Sequence, residues 1–478
     1  MRLQELIERL RAFNGITRNS KDVTDNFVFV AIKGAKVDGH RFIDEAINRG
    51  AKAIVTQCHV SGVMCQDKNV KFIKVEDTRK ALAQLVAEFY GKPAEKLKIV
   101  GVTGTNGKTT VTYLLEALLK EAGFNPAVVG TINYRYNNKI IPSKNTTPGP
   151  LELQPHLAQM RKEKVDYVVM EVSSHSQDQE RTEGLKFHSA IFTNLTQDHL
   201  DYHRTMANYF QAKAKLFKNL KSDALAVLNN DDKYARKILE LTRARVITYG
   251  LDNKADITAK DIKFSIDKSE FTIAGLKKEL QINSCLIGRH NVYNILAAVA
   301  WGWGNSFKPQ VIKKAIEGKL LVPGRLQRIL TQKKFCVFVD YAHTEDALRS
   351  VITALRPLCK ARIIVVFGCG GDRDKGKRPK MGYAATQLAD FAVITSDNPR
   401  SENPEAIIED IKKGIKKDNF CVIPERLAAI RKSLRLAGPG DIILIAGKGH
   451  EDYQIFKDRI ERFDDREAVR ACLESVSC

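Results

Sequence analysis

Short apolar runs alternate with amphipathic stretches along the chain, and this alternation predicts strands followed by helices. Three runs in the first part have the length of buried strands: FVFVAI (27–32), KAIV (52–55) and KFIKV (71–75). A helix is predicted over ALAQLVAEFY (81–90), with Asp77 or Thr78 as its N-cap. The residues before Lys92 therefore predict a small mixed α/β unit.

After Leu97 the apolar runs and helical patterns alternate more regularly. The predicted strands are KIVGVTG (98–104), AVVG (127–130), DYVVMEV (166–172), SAIFTNL (189–195) and ALAVLNN (224–230). Helices are predicted after Lys108 and near 151–164 and 205–218, a pattern typical of a mostly parallel sheet covered on both faces. Short alternating segments over 255–285 predict an antiparallel appendage, which the helix HNVYNILAAVAWGW (290–303) follows.

Pro323, Gly324 and Arg325 mark a second joint, and another strand and helix series follows it. Its predicted strands are FCVFVD (335–340), ARIIVVFG (361–368), FAVITS (391–396) and DIILIAG (441–447), with helices near 345–355 and 380–389. This series resembles a doubly wound, dinucleotide-fold-like domain. We therefore predict an α/β protein of three domains: residues 1–93, small and mixed; residues 94–322, with a central parallel sheet; and residues 323–478, Rossmann-like.

Composition places the chain among globular proteins. Apolar residues make up 44% of its 478 residues, and no run approaches the roughly 20 apolar residues that span a membrane. The N-terminus, MRLQELIERLRAF, lacks the unbroken apolar core of a secretory signal, so we expect a cytoplasmic protein. Nine cysteines without a C-x-x-C pair predict reduced, mostly buried thiols.

A net charge of +21 raises the possibility of nucleic-acid binding, because Lys and Arg attract phosphate regardless of sequence. The basic residues are spread along the chain and interleaved with acids, and no nucleic-acid module is recognisable. A field that gathers small polyanionic substrates explains the charge as well. We expect no nucleic-acid partner, and keep a nucleic-acid-dependent NTPase as the alternative from another class.

The strongest local motif is GVTGTNGKTT (101–110), between an apolar strand and a helix. Backbone amides of such a loop surround phosphate oxygens, while Lys108 reaches the terminal phosphates and Thr109 suits magnesium. Five residues rather than four separate Gly101 from Gly107, which makes this a variant phosphate loop. The motif predicts nucleotide binding, which kinases, motors and ligases share.

Two further polar residues are predicted at the same sheet edge. Glu171 ends the apolar run DYVVM, and His199 follows the run SAIF within TNLTQDHLDYH. Ligands of open parallel sheets bind at the carboxyl ends of the strands. One carboxylate and one imidazole could hold magnesium near the loop, although each alone is more often a solvated acid or a turn histidine.

Taken together, the motifs resemble those of Mur ligases. They occur in the family's order between about Ser20 and Glu451: GTNGKTT, MEVSSH, TNLTQDHLDYH, YFQAKAKLF, GRHNVYN, PGRLQ, VDYAHT, GGDRD, SDNPR and AGKGHE. The last three are similar to the type that adds diaminopimelate to a UDP-linked muramoyl dipeptide. Ten ordered motifs are far more specific than any one of them.

The resemblance implies an ATP-dependent, amide-bond-forming ligase of peptidoglycan synthesis that works through an acyl phosphate. Implied catalytic residues are Lys108, Glu171, His199 and Lys213, and Lys213 matches a lysine that the family carbamylates. Implied ATP contacts are Gly104, Thr105, Asn106, Gly107, Lys108, Thr109, Thr110, Asn291, Asn294, Arg325 and Asp340. One magnesium ion would lie at Thr109, and a second would be held by Glu171 and His199 with the support of carbamylated Lys213. The residues alone predict that Lys213 is an exposed helix lysine and that Asn291 and Asn294 are helix caps.

The resemblance also implies sites for the other two substrates. For the UDP-substrate the matching positions are Ser20, Asn145, Thr146, Thr147, Ser173, Gln179 and Arg181. For diaminopimelate they are Arg373, Asp397, Asn398, Pro399, Arg400, Gly447 and Glu451. A guanidinium such as that of Arg181 or Arg400 can hold a carboxylate in bidentate fashion. The implied partners are these small molecules, and we expect a monomer.

Two departures from the family pattern stand out. Glu345 occupies a position where proline is expected, and Ser20 lies between Asn19 and Lys21 instead of in a DSR-like motif. The nearest rival function is a folylpolyglutamate-synthase-like ligase, which shares the ATP site. The segments NTTPGP, SSHSQDQER and DNPR argue against that rival.

Overall fold

The computed structural model describes residues 2–34, 37–58 and 69–475, with the side chain of residue 475 excepted. Residue contacts divide the chain into two compact units. The first contains Met1–Gly101 and Phe124–Ser189, and the second contains Val102–Gly123 and Ala190–Cys478. The strands Lys98–Thr103 and Phe187–Phe192 each begin in the first unit and end in the second.

The N-terminal part is a four-stranded parallel sheet with helices. Its elements are α1 (Leu3–Glu8), β1 (Gly15–Thr17), β2 (Phe27–Val30), α2 (Ile43–Asn48), β3 (Ala51–Thr56), β4 (Lys71–Lys74) and α3 (Thr78–Phe89). The strands lie in sequence order, β1-β2-β3-β4, and all pair in parallel. Asp77 caps α3 by accepting the amide hydrogens of Arg79 and Lys80 at 2.8 and 3.2 Å, which confirms the predicted helix start.

The central part carries the predicted alternation of strands and helices. Its elements are β5 (Lys98–Thr103), α4 (Lys108–Glu121), β6 (Pro126–Val129), β7 (Asn133–Tyr136), β8 (Lys139–Pro142), α5 (Pro150–Lys162), β9 (Tyr167–Glu171), α6 (Ser174–Asp178), β10 (Phe187–Phe192), α7 (Leu200–His203), α8 (Met206–Lys218), β11 (Leu225–Asn229), α9 (Lys233–Leu241), β12 (Arg245–Tyr249), β13 (Ile257–Phe264), β14 (Ser269–Gly275), β15 (Lys278–Ser284), α10 (Arg289–Gly304) and α11 (Pro309–Glu317).

Within the first unit the central strands lie in the order β5-β9-β6-β7-β8. β6 pairs in parallel with β9, and β7 and β8 continue the sheet in antiparallel pairing. Within the second unit the order is β15-β14-β13-β12-β11-β10-β5. β11, β12 and β13 are parallel, whereas β13, β14 and β15 form the predicted antiparallel appendage.

The C-terminal part is built on a second, mostly parallel sheet. Its elements are β16 (Gln327–Ile329), β17 (Cys336–Asp340), α12 (Glu345–Leu355), β18 (Ile363–Phe367), α13 (Lys377–Leu388), β19 (Phe391–Ile394), α14 (Pro404–Lys412), β20 (Phe420–Val422), α15 (Arg426–Leu436), β21 (Ile442–Ala446), β22 (Tyr453–Ile455), β23 (Ile460–Arg462) and α16 (Asp465–Ser475). The order is β16-β17-β21-β18-β19-β20, with β16 alone antiparallel to its neighbour. One apolar core covers each face, as in a doubly wound fold.

Several predictions need correction. The strand predicted over 98–104 ends one residue earlier, at Thr103, and the loop before α4 is residues 104–107. The strand predicted over 27–32 ends at Val30, and the helix predicted over 380–389 begins earlier, at Lys377. Of seven described cysteines two are buried, so "mostly buried" is wrong for them; the other two, Cys65 and Cys478, lie outside the described residues. Among the described residues no helix is both long and apolar enough to cross a membrane.

Candidate functional site

The loop between β5 and α4 is the centre of the site. Gly104 and Gly107 have φ angles of +150° and +87°, and a Cβ on Gly107 would lie 2.4 Å from Oδ1 of Asn294. Both the backbone conformation and the close contact require glycine. Lys108, the first residue of α4, donates from Nζ to the carbonyl oxygens of Gly104 and Thr105 at 2.9 Å each. The amides of this helix N-terminus suit a phosphate group.

Lys213 is a second lysine at the same loop. It lies on α8 with 2% exposure, and its Nζ donates to the carbonyl oxygen of Gly104 at 2.7 Å. The expectation of an exposed helix lysine, drawn from the residues alone, is therefore wrong. Burial, together with the nearby charge of Lys108, lowers the pKa of Lys213 well below its ordinary value.

Residues after β10 hold the loop in place. The amide groups of Thr105 and Asn106 donate to the backbone and side-chain oxygens of Asn194 at 2.8 and 2.9 Å. The Thr193 hydroxyl donates to the carbonyl oxygen of Asn106 at 2.6 Å. The loop therefore keeps its shape through hydrogen bonds to a neighbouring strand end.

Asp346, on α12, also holds the loop. Its Oδ2 accepts hydrogen bonds from the side-chain amide of Asn106 and the hydroxyl of Thr196, at 3.0 and 3.2 Å. Burial raises the pKa of Asp346. Thr344 is the N-cap of α12 and accepts the amide hydrogen of residue 347. Glu345 is the first residue of this helix. A helix-start position suits glutamate as well as proline, so the departure at Glu345 has a local explanation.

Asn291 and Asn294 are buried on α10, and Asn294 lies next to the loop. Nδ2 of Asn294 donates to Oδ1 of Asn291 at 3.0 Å, and Nδ2 of Asn291 donates to the carbonyl oxygen of Ile287 at 2.9 Å. The N-cap of α10 is Gly288, which makes no side-chain cap. The helix-capping alternative for the two asparagines is therefore wrong.

Arg325 brings the C-terminal part to the start of α4, and Asp340 lies near this arginine. Arg325 donates from Nη2 to the hydroxyl of Thr109 at 3.1 Å, while its buried Nε has no hydrogen-bond partner among the described residues. Asp340 accepts the amide hydrogens of Leu326 and Ala342 at 2.5 and 2.7 Å. Burial raises the pKa of Asp340, although Arg325 opposes this effect.

His199 lies beside a carboxylate that the sequence analysis did not select. Asp198 accepts the amide hydrogen of His199 at 2.9 Å, and its other oxygen is 3.4 Å from Nε2 of that imidazole and 4.0 Å from Nε2 of His343. Burial alone would raise the pKa of Asp198, but His199, His343 and Lys377 together hold it below its ordinary value. Asp198 is therefore a buried anion among basic side chains.

Glu171 ends β9 in the first unit, as predicted. Its two carboxylate oxygens accept from the amide and the hydroxyl of Thr131, both at 2.9 Å. The Thr131 hydroxyl lies 3.1 Å from that of Thr146. Thr147 donates to the carbonyl oxygen of Glu171 at 2.8 Å and accepts from the amide of Ser173 at 3.0 Å. The structure thus brings four predicted residues together.

Arg181 is fixed in the same cluster. It donates from Nη1 to the carbonyl oxygen of Thr147 at 2.8 Å, and from Nε and Nη2 to Oε1 of Gln179 at 3.1 and 2.8 Å. These bonds hold the guanidinium plane in one orientation. A planar group held in this way can recognise a carboxylate.

Asn145 and Ser20 have different surroundings. Asn145 is exposed, and its carbonyl oxygen accepts from the hydroxyl of Tyr134 at 2.9 Å. Ser20 is buried and donates to Oε2 of Glu45 at 2.8 Å. The side-chain oxygen of Asn19 accepts the amide hydrogen of Lys21. The residues that depart from the family pattern therefore form a local turn.

Another cluster lies at the ends of β19 and β21. Nδ2 of Asn398 donates to Oε2 of Glu451 at 2.8 Å, and Nζ of the fully buried Lys448 lies 3.4 Å from Oδ1 of Asn398 and from the same glutamate oxygen. A Cβ on Gly447 would lie 2.6 Å from Oδ2 of Asp397. Burial and Asp397 raise the pKa of Glu451. Two acids therefore share one buried ammonium group.

Arg400 completes this cluster. Its Nη1 donates to the carbonyl oxygen of Gly371 at 2.8 Å. A Cβ on Gly370 would lie 2.8 Å from that nitrogen and 3.8 Å from Cγ of Arg373, so both arginines border one glycine turn. A Cβ on Gly371 would meet the carbonyl oxygen of Pro399. The predicted GGDRD and DNPR residues are thus in contact.

Several polar residues of these clusters were not predicted, among them Asp198, Asp346 and Lys448. A usable signal was present for two of these three. Asp198 and Lys448 lie inside the motifs TNLTQDHLDYH and AGKGHE, each of which directly follows a buried apolar run. Asp346 lies just beyond a motif, and nothing in the sequence pattern distinguishes it from a solvated acid in the first turn of a helix.

The fold and these clusters define a phosphate-loop α/β protein whose C-terminal doubly wound part carries a second charged cluster at its sheet edge. Three family models match the chain: Mur ligase family, catalytic domain, at residues 12–90; Mur ligase middle domain at residues 102–302; and Mur ligase, glutamate ligase domain, at residues 324–449. The chain belongs to the Mur ligase family. Its predicted three-domain α/β fold is confirmed.

Curated relatives extend this similarity over nearly the whole chain. A Clostridium acetobutylicum protein, "UDP-N-acetylmuramoyl-L-alanyl-D-glutamate--2,6-diaminopimelate ligase 1", is 45% identical over 97% of this chain and 95% of its own length. An Aquifex aeolicus protein, "UDP-N-acetylmuramoyl-L-alanyl-D-glutamate--2,6-diaminopimelate ligase", is 44% identical over 98% of this chain and 95% of its own length.

Solved structures show the same fold. A structure titled as the UDP-N-acetylmuramoyl-L-alanyl-D-glutamate--2,6-diaminopimelate ligase is 32% identical with a TM-score of 0.68, covering 98% of this chain and 96% of its own. MurF ligase from Thermotoga maritima in complex with ADP has a TM-score of 0.66 at 21% identity, covering 96% and 97%. Mycobacterium tuberculosis folylpolyglutamate synthase has a TM-score of 0.68 at 17% identity, covering 82% and 95%. At such identities the last two show the fold alone.

Proposed function

We infer that this chain is an ATP-dependent ligase that joins diaminopimelate to UDP-N-acetylmuramoyl-L-alanyl-D-glutamate in peptidoglycan precursor synthesis. The single observation that carries this conclusion is 45% identity, over 97% of the chain, to a protein named for that activity. The terminal phosphate of ATP is transferred to the free carboxylate of the dipeptide, and ADP leaves. The amino group of diaminopimelate then attacks the acyl phosphate, an amide bond forms, and phosphate is released.

The ATP site is proposed at the loop between β5 and α4. Its contacts would be those predicted from the sequence, and the described geometry supports them: Lys108, Arg325 and the amides at the start of α4 converge on one loop. The two buried asparagines, Asn291 and Asn294, offer amide donors and acceptors to adenine. Catalysis of phosphoryl transfer rests mainly on positioning and charge neutralisation, which a loop between cations supplies.

Two magnesium ions are proposed, one at Thr109 and a second held by Glu171 and His199 with the support of a carbamylated Lys213. Among the described residues no group of three or more His, Cys, Asp or Glu side chains could hold a metal on its own. The donors fit magnesium ions that borrow oxygen atoms from a substrate phosphate, as magnesium commonly does. Bound there, the ions would neutralise charge on the transferring phosphoryl group. The buried, low-pKa amine of Lys213 supports the carbamate, because a neutral amine adds to carbon dioxide and releases a proton.

The dipeptide substrate is proposed to contact Ser20, Asn145, Thr146, Thr147, Ser173, Gln179 and Arg181. The fixed guanidinium of Arg181 supports a role in holding a substrate carboxylate. Ser20 lies in a short 3-10 helix between β1 and β2 and would contact a different portion of the substrate. The proposed domains are residues 1–93 for the UDP-substrate, 94–322 for ATP and ligation, and 323–478 for the amino acid.

Diaminopimelate is proposed to bind at the ends of β18, β19 and β21. Its residues would be Arg373, Asp397, Asn398, Pro399, Arg400, Gly447 and Glu451. Diaminopimelate differs from lysine by a carboxylate beside its distal amine, and the two arginines at the glycine turn favour that extra carboxylate. Glu451 suits an ammonium group. We further propose that the enzyme acts in the cytoplasm as a monomer, on small molecules and without nucleic acid.

The test is an assay of ADP release with the UDP-muramoyl dipeptide and a panel of amino acids. We expect ADP only when the dipeptide and an amino acid are both present, with diaminopimelate far ahead of lysine. A requirement for a folate acceptor and glutamate would favour the folylpolyglutamate-synthase-like alternative. Stimulation by nucleic acid without the dipeptide would favour the NTPase. No consumption of ATP with dipeptide and diaminopimelate together would overturn the proposal.

A further inference from the structure

Tyr341 lies between the two clusters of the second unit. Its ring centroid is 4.5 Å from Cζ of Arg325, in a cation–π arrangement. The same guanidinium donates to the hydroxyl of Thr109 at the start of α4. One face of the tyrosine ring therefore packs against a cation that reaches the phosphate loop.

The hydroxyl of Tyr341 points to the other cluster. It donates to Oε1 of Glu451 at 3.4 Å, while Oε2 of that glutamate accepts from Asn398 at 2.8 Å. Glu451 is thus held on one side by the tyrosine and on the other by the DNPR segment. Burial, together with the charge of Glu451, raises the pKa of Tyr341, so the hydroxyl keeps its proton and remains a donor.

Backbone contacts leave this tyrosine little freedom. A Cβ on Gly449 would lie 2.7 Å from Cβ of Tyr341 and 2.7 Å from the carbonyl oxygen of Gly324. A Cβ on Gly324 would lie 2.1 Å from the carbonyl carbon of Gly449. The joint before Arg325 and the loop before Glu451 therefore touch through their backbones. A shift of either segment has to move the other, because the two backbones are packed too closely to leave room for a side chain between them.

We propose that Tyr341 is a positioning residue that couples the nucleotide site to the amino-acid site, by linking Arg325 through its ring to Glu451 through its hydroxyl. The proposal rests on the proposed function for the identity of the two ligands. A nucleotide phosphate that orders Arg325 also orders the ring stacked on it, and the ring then holds Glu451 for the ammonium group. Coupling of this kind is reciprocal: each ligand tightens the other by the same factor.

The test compares Tyr341→Phe, Tyr341→Leu and wild type by titration with AMPPCP, in the presence of the UDP-muramoyl dipeptide, with and without diaminopimelate. In wild type we expect diaminopimelate to tighten AMPPCP binding by about 5-fold or more. Tyr341→Leu removes the ring and the hydroxyl, so the ratio should fall to about 1. Tyr341→Phe keeps the ring and should give an intermediate ratio.

Steady-state kinetics separate the contribution of the Tyr341 ring, which packs on Arg325, from that of its hydroxyl, which bonds to Glu451. Tyr341→Phe should raise KM for diaminopimelate about 3-fold, the effect of one lost hydrogen bond, and leave KM for ATP unchanged. Tyr341→Leu should raise both. The matched controls are Tyr383→Phe and Tyr383→Leu, at a tyrosine of α13 that is 40% exposed, and they should match wild type. Equal binding ratios in wild type and Tyr341→Leu would overturn the inference, as would a wild-type ratio of 1.

Turnover of wild-type enzyme is measured first, so that failure of the proposed function is seen separately. If wild type releases ADP with both substrates and the tyrosine variants keep its ratio, the coupling inference fails and the proposed function stands. If wild type is inert, the variants are compared by titration with ADP alone. There Tyr341→Leu should weaken binding about 3-fold through the loss of the cation–π contact, and equal affinities would overturn the inference.

Discussion

The ammonium groups of Lys108 and Lys213 donate to the same carbonyl oxygen, that of Gly104, at 2.9 and 2.7 Å. Burial of Lys213, together with the repulsion between the two cations, lowers the pKa of Lys213 well below its ordinary value. Lys213 therefore loses its proton more readily than an ordinary lysine. The proposed carbamate, formed from the deprotonated amine and carbon dioxide, would place an anion beside Lys108 in place of a second cation.

Lys213→Ala should lower turnover by about a hundredfold or more, because it removes a charged group from the site of phosphoryl transfer. Short carboxylates added to the assay should restore part of that activity by replacing the carbamate. Lys215→Ala, two residues along α8, serves as the matched control and should retain wild-type turnover. An unaffected Lys213→Ala enzyme would remove this lysine from the site.

Arg400→Ala should raise KM for diaminopimelate by about 30-fold or more, while KM for ATP changes little. The reason is that the guanidinium borders the glycine turn at the end of β18, within the amino-acid cluster. Steady-state kinetics with each substrate varied in turn provide the measurement. Arg431→Ala, at an exposed arginine of α15, is the control. Equal losses for diaminopimelate and ATP would refute the assignment.

Much of the fold could be predicted from the sequence, because buried strands appear as uninterrupted apolar runs. Ile363–Phe367 and Ile442–Ala446 form fully buried strands where such runs occur. Glu171 could be placed at a strand end for the same reason. Cap residues such as Asp77 fixed helix starts to within a residue or two.

Side-chain burial and long-range pairing could not be predicted in this way. Lys213 is buried because α8 packs against the phosphate loop, which is remote in sequence. The bond from Asn106 to Asp346 joins residues 240 positions apart. The local sequence pattern also could not show that Asn291 and Asn294 are bonded to each other, with Asn294 beside the loop, instead of capping a helix. These features depend on tertiary packing, and only the family resemblance pointed to some of them.

Asp346→Ala should raise KM for ATP about tenfold, since the carboxylate holds Asn106 and Thr196 around the phosphate loop. The change should appear equally in direct titration with ADP. Glu345→Ala alters the neighbouring residue, whose carboxylate instead accepts from Arg349, and should leave ATP kinetics unchanged. A shared loss in both variants would mean that the helix start, and not the contact with the loop, is what matters.

The bond between Arg378 and Glu402 should make stability depend on pH. Both oxygens of Glu402 accept from this almost fully buried guanidinium, at 2.8 and 3.0 Å, and Asp372 donates its amide hydrogen to the same carboxylate at 2.6 Å. The hydrogen bonds from Arg378 are the main reason that the pKa of Glu402 falls from 4.5 to about 2. A carboxyl group whose pKa is lowered on folding stabilises the folded state at pH values above its unfolded pKa, and that contribution is lost as pH falls through the folded value.

Glu402→Gln should therefore destabilise the protein at neutral pH by about 1.5–3 kcal/mol, the range for a hydrogen bond to a charged group. The difference from wild type should shrink between pH 4.5 and about 2, because wild-type Glu402 takes up its proton in that interval. Urea unfolding across this pH range measures the difference directly. Glu409→Gln, at an exposed glutamate on α14, should show a small difference that changes little with pH. A Glu402→Gln deficit that persists undiminished at pH 2 would mean that the lost contact is one of shape and not of charge.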